Sequence, residues 1–341
     1  MRRWSAEQAN TWYARQPWLV GCNYIPSTAI NQLEMWQADT FDPDAIDREL
    51  GWAAGLGFNT LRVYLHDLAW VDDAAGFKAR IARYLDIAAS HELRTMFVFF
   101  DDCWNSDPFT GLQPQSRPGV HNSGWWQSPG ARVVLDPAQW PRLEAYVVDV
   151  VAHFANDARI LMWDVYNEPG NQQLGAKSLP LLRQAFAWAR AARPGQPLTA
   201  GVWHDHPELN AAQLAASDII TFHNYNDATS LRRQIVDLRA YDRPLICTEY
   251  MARPRGSEFA THLPIFKAEG VGCLNWGLVS GKTQTRYPWG WSDAEAEPEM
   301  WFHDIFHADG RPYRRDEVAT IRHIVRGDSP GIGTATTETV A

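Results

Sequence analysis

The chain has 341 residues, of which 45% are hydrophobic and 21% are charged, as in an ordinary globular protein that buries its own core. Its formal charge of −9 argues against nucleic acid as a partner, because binding a phosphate backbone needs a basic surface. No apolar run approaches the length that spans a bilayer, so we expect no membrane partner.

The N-terminus carries Arg2 and Arg3 but no apolar stretch after them, so we expect no secretory signal. Four cysteines without CxxC spacing are typical of buried, reduced thiols. They are Cys22, Cys103, Cys247 and Cys273. Both features predict a cytoplasmic protein.

Apolar runs that predict strands alternate along the chain with segments whose apolar residues recur at helical spacing. A short amphipathic helix is expected within 4–17, and a last helix around 318–324. Between them, the eight predicted strands are 18–23, 58–65, 94–100, 160–165, 198–203, 218–223, 244–249 and 271–276.

These strands are continuous apolar runs and do not alternate with polar residues, which is typical of a parallel sheet covered by helices. Eight such units predict an α/β protein, a single-domain (β/α)8 TIM barrel over residues 1–326, followed by a disordered tail at 327–341. An open doubly wound sheet is the alternative. It is disfavoured because no Gly-rich phosphate turn follows the first strand.

The fourth strand ends abruptly at a carboxylic acid. Pro169 biases Glu168 away from helical geometry, and Gly170 lets the chain turn. In a barrel the C-terminal ends of the strands share one mouth, and Glu249 ends the seventh strand on the opposite side. Two carboxylates that face each other across a substrate-sized gap are what cleavage of a glycosidic bond needs.

Polar and aromatic residues at the other strand ends are expected to share this mouth. They are Asn23, Arg62, Asp101, Asp102, Asn167, Trp203, His223, Tyr225 and Trp276. Seventeen tryptophans is a high count, and several, such as Trp104, lie in loop-like stretches. Flat indole faces in such loops suit the apolar faces of sugar rings.

On these residues the chain, over about 17–325, resembles clan A of the glycoside hydrolases, most closely the family 5-like, cellulase-like enzymes. The residues that carry the resemblance are Asn167-Glu168-Pro169, Glu249 in Cys-Thr-Glu-Tyr, Arg62, His223, Tyr225 and Trp276. The resemblance implies a retaining β-glycosidase that works by double displacement and needs no cofactor and no metal.

The resemblance also implies a role for each of these side chains. Glu249 would be the nucleophile, kept ionised by Arg62 and oriented by Tyr225. Glu168 would be the general acid/base, and the negative charge of Glu249 would raise its pKa so that it is protonated at rest.

Three further residues would bind or orient the sugar. Asn167 would hydrogen-bond the 2-hydroxyl, and Trp276 would be the platform under the reacting ring. His223 would orient the acid/base or a hydroxyl.

The third strand departs from the family pattern. Family members commonly carry a histidine near its end, where this chain has Asp101 and Asp102. Acidic pairs often grip sugar hydroxyls, so we expect both to bind substrate, with Asn23 and Lys282 contributing to the same pocket.

Several functions use the same residues. The long loop after the third strand would wall off one end of the cleft, which favours exo action or a short substrate. An endo-β-glycanase acting on mannan, glucan or xylan and a transglycosylase remain alternatives. An inactive carbohydrate-binding barrel is disfavoured because both Glu168 and Glu249 are present. The sequence leaves the sugar, the linkage and the oligomeric state open.

Overall fold

The computed structural model describes residues 2–291 and 296–327. Within these ranges eight parallel strands form one sheet in the order β5-β4-β3-β2-β1-β8-β7-β6. The strands are β1 Val20–Asn23, β2 Thr60–Tyr64, β3 Arg94–Asp101, β4 Ile160–Asn167, β5 Leu198–Thr199, β6 Ile220–His223, β7 Leu245–Tyr250 and β8 Gly272–Asn275. Each strand overlaps its predicted range.

The sheet closes into a barrel between β5 and β6. Beyond the short β5, Val202 forms a parallel bridge with Phe222. The Val202 N–H donates to the Thr221 carbonyl, and the His223 N–H donates to the Val202 carbonyl, both at 3.0 Å. The predicted (β/α)8 barrel is therefore confirmed.

Twelve α-helices lie in the described ranges. They are α1 Ala6–Ala14, α2 Gln32–Trp36, α3 Pro43–Leu56, α4 Asp67–Asp72, α5 Ala74–Ser90, α6 Ala131–Val134, α7 Trp140–His153, α8 Leu179–Ala191, α9 Pro207–Ala216, α10 Ala228–Arg239, α11 Phe259–Glu269 and α12 Arg315–Arg326. The short helices α2, α4 and α6 were not predicted, because so few residues carry too little of a helical period to be recognised.

Sequence signals set the ends of the long helices. At the start of α3, the Asp42 carboxylate accepts from the Ala45 N–H at 3.0 Å, and Pro43 occupies the first turn. At its end, Gly57 has φ 90°, a left-handed conformation that costs glycine little.

The N-terminal segment closes the lower end of the barrel. Trp4 is buried there with Leu19, Met96 and Met162, near the starts of the strands. The Asp218 carboxylate fixes this segment, because it accepts from the Trp4 N–H at 2.8 Å and from the Leu198 N–H at 2.9 Å.

All four cysteines are buried and unpaired, as predicted. No helix in the described ranges is both long enough and apolar enough for a membrane span. The tail predicted at 327–341 lies, beyond Gly327, outside the described residues.

Candidate active site

A cavity of about 840 Å³ lies at the C-terminal ends of the strands. Its walls include most of the residues predicted from the strand ends, together with Trp104. Those on the walls are Asp101, Trp104, Asn167, Glu168, Trp203, His223, Tyr225, Glu249 and Trp276. The opposite end of the barrel is filled by the core around Trp4, so the cavity lies at the end where barrel enzymes carry out chemistry.

Glu168 and Glu249 face each other in this cavity. A carboxylate oxygen of each and a ring nitrogen of His223 all lie within 4.8 Å of one another. Retaining glycosidases separate their two carboxyl groups by about 5 to 5.5 Å, and inverting enzymes by about 6.5 to 9.5 Å. The two carboxylate oxygens are therefore closer than the carboxyl groups of inverting enzymes, which agrees with a retaining geometry.

Glu249 is held by a cation and two phenols. Its Oε1 accepts from Arg62 Nη1 at 2.7 Å and from the Tyr64 hydroxyl at 2.8 Å. Its Oε2 accepts from the Tyr225 hydroxyl at 2.8 Å. Such charge-assisted contacts fix the carboxylate in one orientation.

Arg62 is fully buried and does not line the cavity. Its contact with the site is the hydrogen bond to Glu249. Its Nη2 donates to Asp164 and to the Asn167 Oδ1, each at 2.7 Å, and its Nη1 donates to the Asn23 Oδ1 at 2.9 Å. Because Asn23 does not line the cavity either, we retain both residues as supports of Glu249 and not as substrate contacts.

The turn after β4 places Glu168. Glu168 has φ 43° and Gly170 has φ 90°, so both residues adopt left-handed backbone conformations. This conformation is unfavourable for Glu168, because it carries a side chain. Asp102 holds this turn, accepting from the Gly170 N–H at 2.7 Å, the Ser178 hydroxyl at 2.5 Å and the Tyr166 hydroxyl at 2.6 Å.

Asp102 is therefore not the sugar ligand that we expected. It is fully buried, its oxygens are used by the turn, and it is absent from the cavity wall. Asp102 instead supports, from behind the cavity, the turn that carries Glu168.

Three donors converge on Glu168. Its Oε1 accepts from His223 Nδ1 at 2.8 Å, and its Oε2 accepts from Asn171 Nδ2 at 2.6 Å and the Cys103 thiol at 3.2 Å. Burial raises the pKa of Glu168, but the hydrogen bonds from His223, Cys103 and Asn171 outweigh it and hold the pKa below its usual value. The expectation of a raised pKa at rest is wrong, because Asn171 and Cys103 were not recognised as donors and His223 was expected only to orient the carboxyl group.

Asp101 orients Asn167. Its Oδ1 accepts from Asn167 Nδ2 at 2.9 Å, and its Oδ2 accepts from Trp125 Nε1 at 2.7 Å. Burial raises the pKa of Asp101 to about 6 in spite of these donors. Since Arg62 binds the other end of the same amide, the Asn167 side chain is fixed in one orientation.

Aromatic side chains form the floor and walls. Trp276 is half-buried and meets Tyr64 and Trp125 edge to face, with ring centroids 5.8 and 5.7 Å apart. Trp104 stacks on His121 at 5.3 Å. A sugar ring placed on Trp276 would lie between these walls.

Of the two expected substrate contacts Trp203 and Lys282, only Trp203 lies on the cavity wall. Trp203 lines the cavity, and its indole N–H donates to the Pro169 carbonyl at 3.2 Å. Lys282 forms an ion pair with Glu34 at 2.6 Å and does not line the cavity. We do not retain Lys282 as a substrate contact.

Sequence reasoning missed several residues of the site. Tyr64 could have been found, because it follows Arg62 by two positions and side chains two apart share one face of a strand. Cys103 and Asn171 each lie within five residues of a predicted site residue. His303 comes from far along the loop after β8 and has no local signal.

Glu168, His223 and Glu249 together offer three atoms that could hold a metal ion such as Zn²⁺. The contacts of Glu249 argue against this, because both of its oxygens already accept hydrogen bonds and one of them is paired with the Arg62 cation. A metal would have to displace these donors or share the carboxylate with a second cation. The donor set therefore fits a carboxylate nucleophile better than a metal ligand.

No family model and no curated protein sequence matches the chain. Solved structures do match its fold. A GH5_18 variant from Streptomyces cattleya, in complex with Manβ1-4GlcNAc, has a TM-score of 0.65 and 16% identity, covering 95% of this chain and 82% of that one. An exo-β-1,4-mannosidase from Opitutaceae bacterium strain TAV5 has a TM-score of 0.62 and 20% identity, covering 91% of this chain and 59% of that one.

A hyperthermostable endo-1,4-β-D-mannanase from Thermotoga petrophila RKU-1 has a TM-score of 0.57 and 14% identity, covering 91% of this chain and 99% of that one. At such identities the likeness concerns the backbone. It establishes that this chain shares the (β/α)8 barrel fold of these three proteins.

Proposed function

We propose that the protein is an exo-acting, retaining β-glycosidase with Glu249 as the nucleophile and Glu168 as the general acid/base. The observation that carries the proposal is the facing carboxylate pair, whose closest oxygens lie within 4.8 Å. One carboxylate is bound by Arg62 and Tyr225, and the other by His223. This asymmetry gives the two groups different tasks.

In the first step the sugar lies on Trp276 with its anomeric carbon over Glu249. A Glu249 oxygen attacks that carbon, the bond to the leaving oxygen breaks, and Glu168 gives its proton to that oxygen. In the second step Glu168 takes a proton from water, the water oxygen attacks the anomeric carbon, and the bond to Glu249 breaks. Two inversions give net retention.

Substrate binding supplies the protonated state of Glu168. In the free site the donors around Glu168 keep its pKa low. The Glu168 side chain is 12% exposed there, and a bound sugar removes this remaining contact with water. Desolvation disfavours the charged form, so the pKa of Glu168 rises on binding and the carboxylate takes up a proton from the solvent.

Two loops support exo action by joining across one side of the mouth. The loop after β3 and the loop after β8 meet above β1 and β2, which lie between those strands in the sheet. His121 Nδ1 donates to the Tyr287 carbonyl, and the Asn122 N–H donates to the Thr283 carbonyl, both at 2.8 Å. On the other side, beside β5 and β6, the cavity is lined by the exposed residues His204, Asp205 and Asp237 and so is open to solvent.

The substrate therefore enters with its terminal sugar toward the joined loops and its leaving group toward Trp203. An endo-enzyme needs an opening on both sides of the scissile bond, and these loops close one of them. Transglycosylation would use the same residues with a sugar as acceptor in place of water.

The proposal is tested with nitrophenyl β-glycosides, beginning with the β-mannosides suggested by the names of the similar structures, and with proton NMR of the released sugar. We expect turnover that a chelator does not change and a product that first appears as the β-anomer. A first product in the α-configuration would contradict retention. Sugar binding without turnover of any glycoside would favour the inactive binding barrel, and loss of activity with the chelator would favour a metal site.

A further inference from the structure

His303 lies in the loop after β8 and has no part in the mechanism above. It lines the cavity although its side chain is fully buried. Its ring packs against Tyr225, Trp289 and His121, with centroids 5.5, 5.9 and 5.4 Å away. Tyr225 in turn donates to the proposed nucleophile Glu249. His303 is thus one side chain removed from the reacting centre.

The main chain fixes the hydrogen-bonding state of this ring. His303 Nδ1 lies 2.5 Å from the Met251 carbonyl, which only accepts, so Nδ1 carries the hydrogen. Burial, aided by the neighbouring His121, holds the pKa of His303 well below its usual value, so the ring is neutral. Its Nε2 is then a hydrogen-bond acceptor, and it has no partner among the described residues.

A second acceptor of the same kind lies on the wall. The side-chain Oδ1 of Asn122, from the loop after β3, is buried and has no partner in the described ranges. A buried polar group without a partner is costly, and because both acceptors belong to residues of the cavity wall, a ligand in the cavity can supply the partner. Two acceptors call for a ligand that brings hydrogen-bond donors, as sugar hydroxyls do.

The positions of Asn167 and Tyr225 beside Glu249 indicate which part of a bound sugar lies near His303. Asn167 and Tyr225 flank Glu249, since Arg62 links Asn167 to Oε1 and Tyr225 binds Oε2. With the anomeric carbon over Glu249 and C2 toward Asn167, the ring oxygen lies toward Tyr225. The next ring atom is C5, which in a hexose carries C6.

We propose that His303 Nε2 accepts a hydrogen bond from the primary 6-hydroxyl of the terminal sugar, and that the substrate is therefore a β-linked hexopyranoside and not a pentopyranoside. This inference rests on the proposed function and deepens it. Xylose-type substrates, which lack C6, leave the His303 acceptor unpaired.

The test compares kcat/KM for the best nitrophenyl β-hexoside with its 6-deoxy and 6-deoxy-6-fluoro analogues and with the matching pentoside. The 6-deoxy sugar is intrinsically more reactive and the 6-fluoro sugar less reactive, so only a lost hydrogen bond from O6 slows both. We expect the wild-type protein to lose roughly tenfold or more on all three analogues.

In His303→Phe, which keeps a ring but removes the acceptor, we expect the ratio of parent to 6-deoxy substrate to fall to about threefold or less. His204→Ala, a histidine at the open side of the same cavity, is the control and keeps the wild-type ratio.

Equal wild-type rates on the parent, 6-deoxy and pentose substrates would overturn this inference and leave the proposed function standing. So would an unchanged ratio in His303→Phe. If that variant does not fold, the wild-type series decides alone. Hydrolysis of no glycoside at all would instead overturn the proposed function.

Discussion

At the scale of single residues, the proposed chemistry depends on Glu168, and the side chains that donate to Glu168 influence its pKa. His223, Asn171 and Cys103 all donate to a carboxylate that must carry a proton when the leaving group departs. The site therefore favours the base form when empty and the acid form when a sugar excludes water. The same residue can then serve in both steps.

This change should appear in pH profiles. In a plot against pH, the fall of kcat/KM on the alkaline side reports the pKa of the general acid in the free enzyme. The corresponding fall of kcat reports its pKa in the enzyme–substrate complex. Because binding removes water from Glu168, we expect its pKa to be higher in the complex, so the alkaline limb of kcat lies roughly one pH unit above that of kcat/KM. Coincident limbs would contradict this account of Glu168.

Cys103 provides a second check at this scale. Removing the thiol in Cys103→Ala takes one donor from Glu168 Oε2, so the pKa of Glu168 in the free enzyme rises. We expect the alkaline limb of kcat/KM to move up by some tenths of a pH unit, since one unit corresponds to about 1.4 kcal/mol. Cys103→Ser keeps a donor and should restore most of the original profile. A limb that stays in place in Cys103→Ala would show that the thiol does not act on Glu168.

At the scale of elements, the proposed exo action depends on the joined loops after β3 and β8. Gln284 connects them, because its Nε2 donates to the Arg117 carbonyl at 2.6 Å and its Oε1 accepts from the Gly119 N–H at 3.1 Å. None of these three residues lines the cavity, so the connection can be changed without removing a side chain from the cavity wall.

Gln284→Ala should loosen this connection. We expect KM for an aryl glycoside to rise severalfold and activity on internal bonds of a β-linked polysaccharide to increase relative to wild type. The measurement is the ratio of aryl-glycoside to dyed-polymer hydrolysis. Gln115→Ala, an exposed glutamine of the same loop, is the matched control and should change neither. An unchanged ratio in Gln284→Ala would mean that the joined loops do not restrict the substrate.

The elements also show what the sequence can predict. Continuous apolar runs and their flanking turns gave the eight strands, and a strand end places its last residues at the mouth, so Glu168 and Glu249 were found. Whether a side chain at a strand end or in a following loop faces the cavity or binds other protein groups behind the cavity wall depends on tertiary contacts. Asp102 binds the turn of Gly170, and Lys282 binds Glu34, and neither pairing leaves a sequence pattern.

At the scale of the whole molecule, the barrel separates stability from chemistry. The lower end holds Trp4, which is 5% exposed, and the upper end holds both carboxylates. The strands between the two ends are buried along nearly their whole length. Changes at the lower end should therefore affect unfolding and not turnover.

Trp4→Ala tests this separation. Removing a buried indole should lower the free energy of unfolding by about 3 to 5 kcal/mol, measured by chemical denaturation. Below the unfolding transition, kcat should stay within about twofold of wild type. Leu112→Ala, at a side chain that is 91% exposed, should change the free energy of unfolding by no more than about 0.5 kcal/mol. A large loss of kcat in folded Trp4→Ala would show that the two ends are coupled.

The central claim is that Glu249 forms the covalent bond to the sugar, and azide rescue tests it most directly. Glu249→Gly should lose several orders of magnitude in kcat, while Arg62, Tyr64 and Tyr225 remain as donors around the space that the carboxylate leaves. With an activated aryl β-glycoside, azide should occupy that space and attack from the nucleophile's side. If the central claim is correct, the product of this variant is an α-glycosyl azide. A β-glycosyl azide, or undiminished hydrolysis by Glu249→Gly, would contradict it.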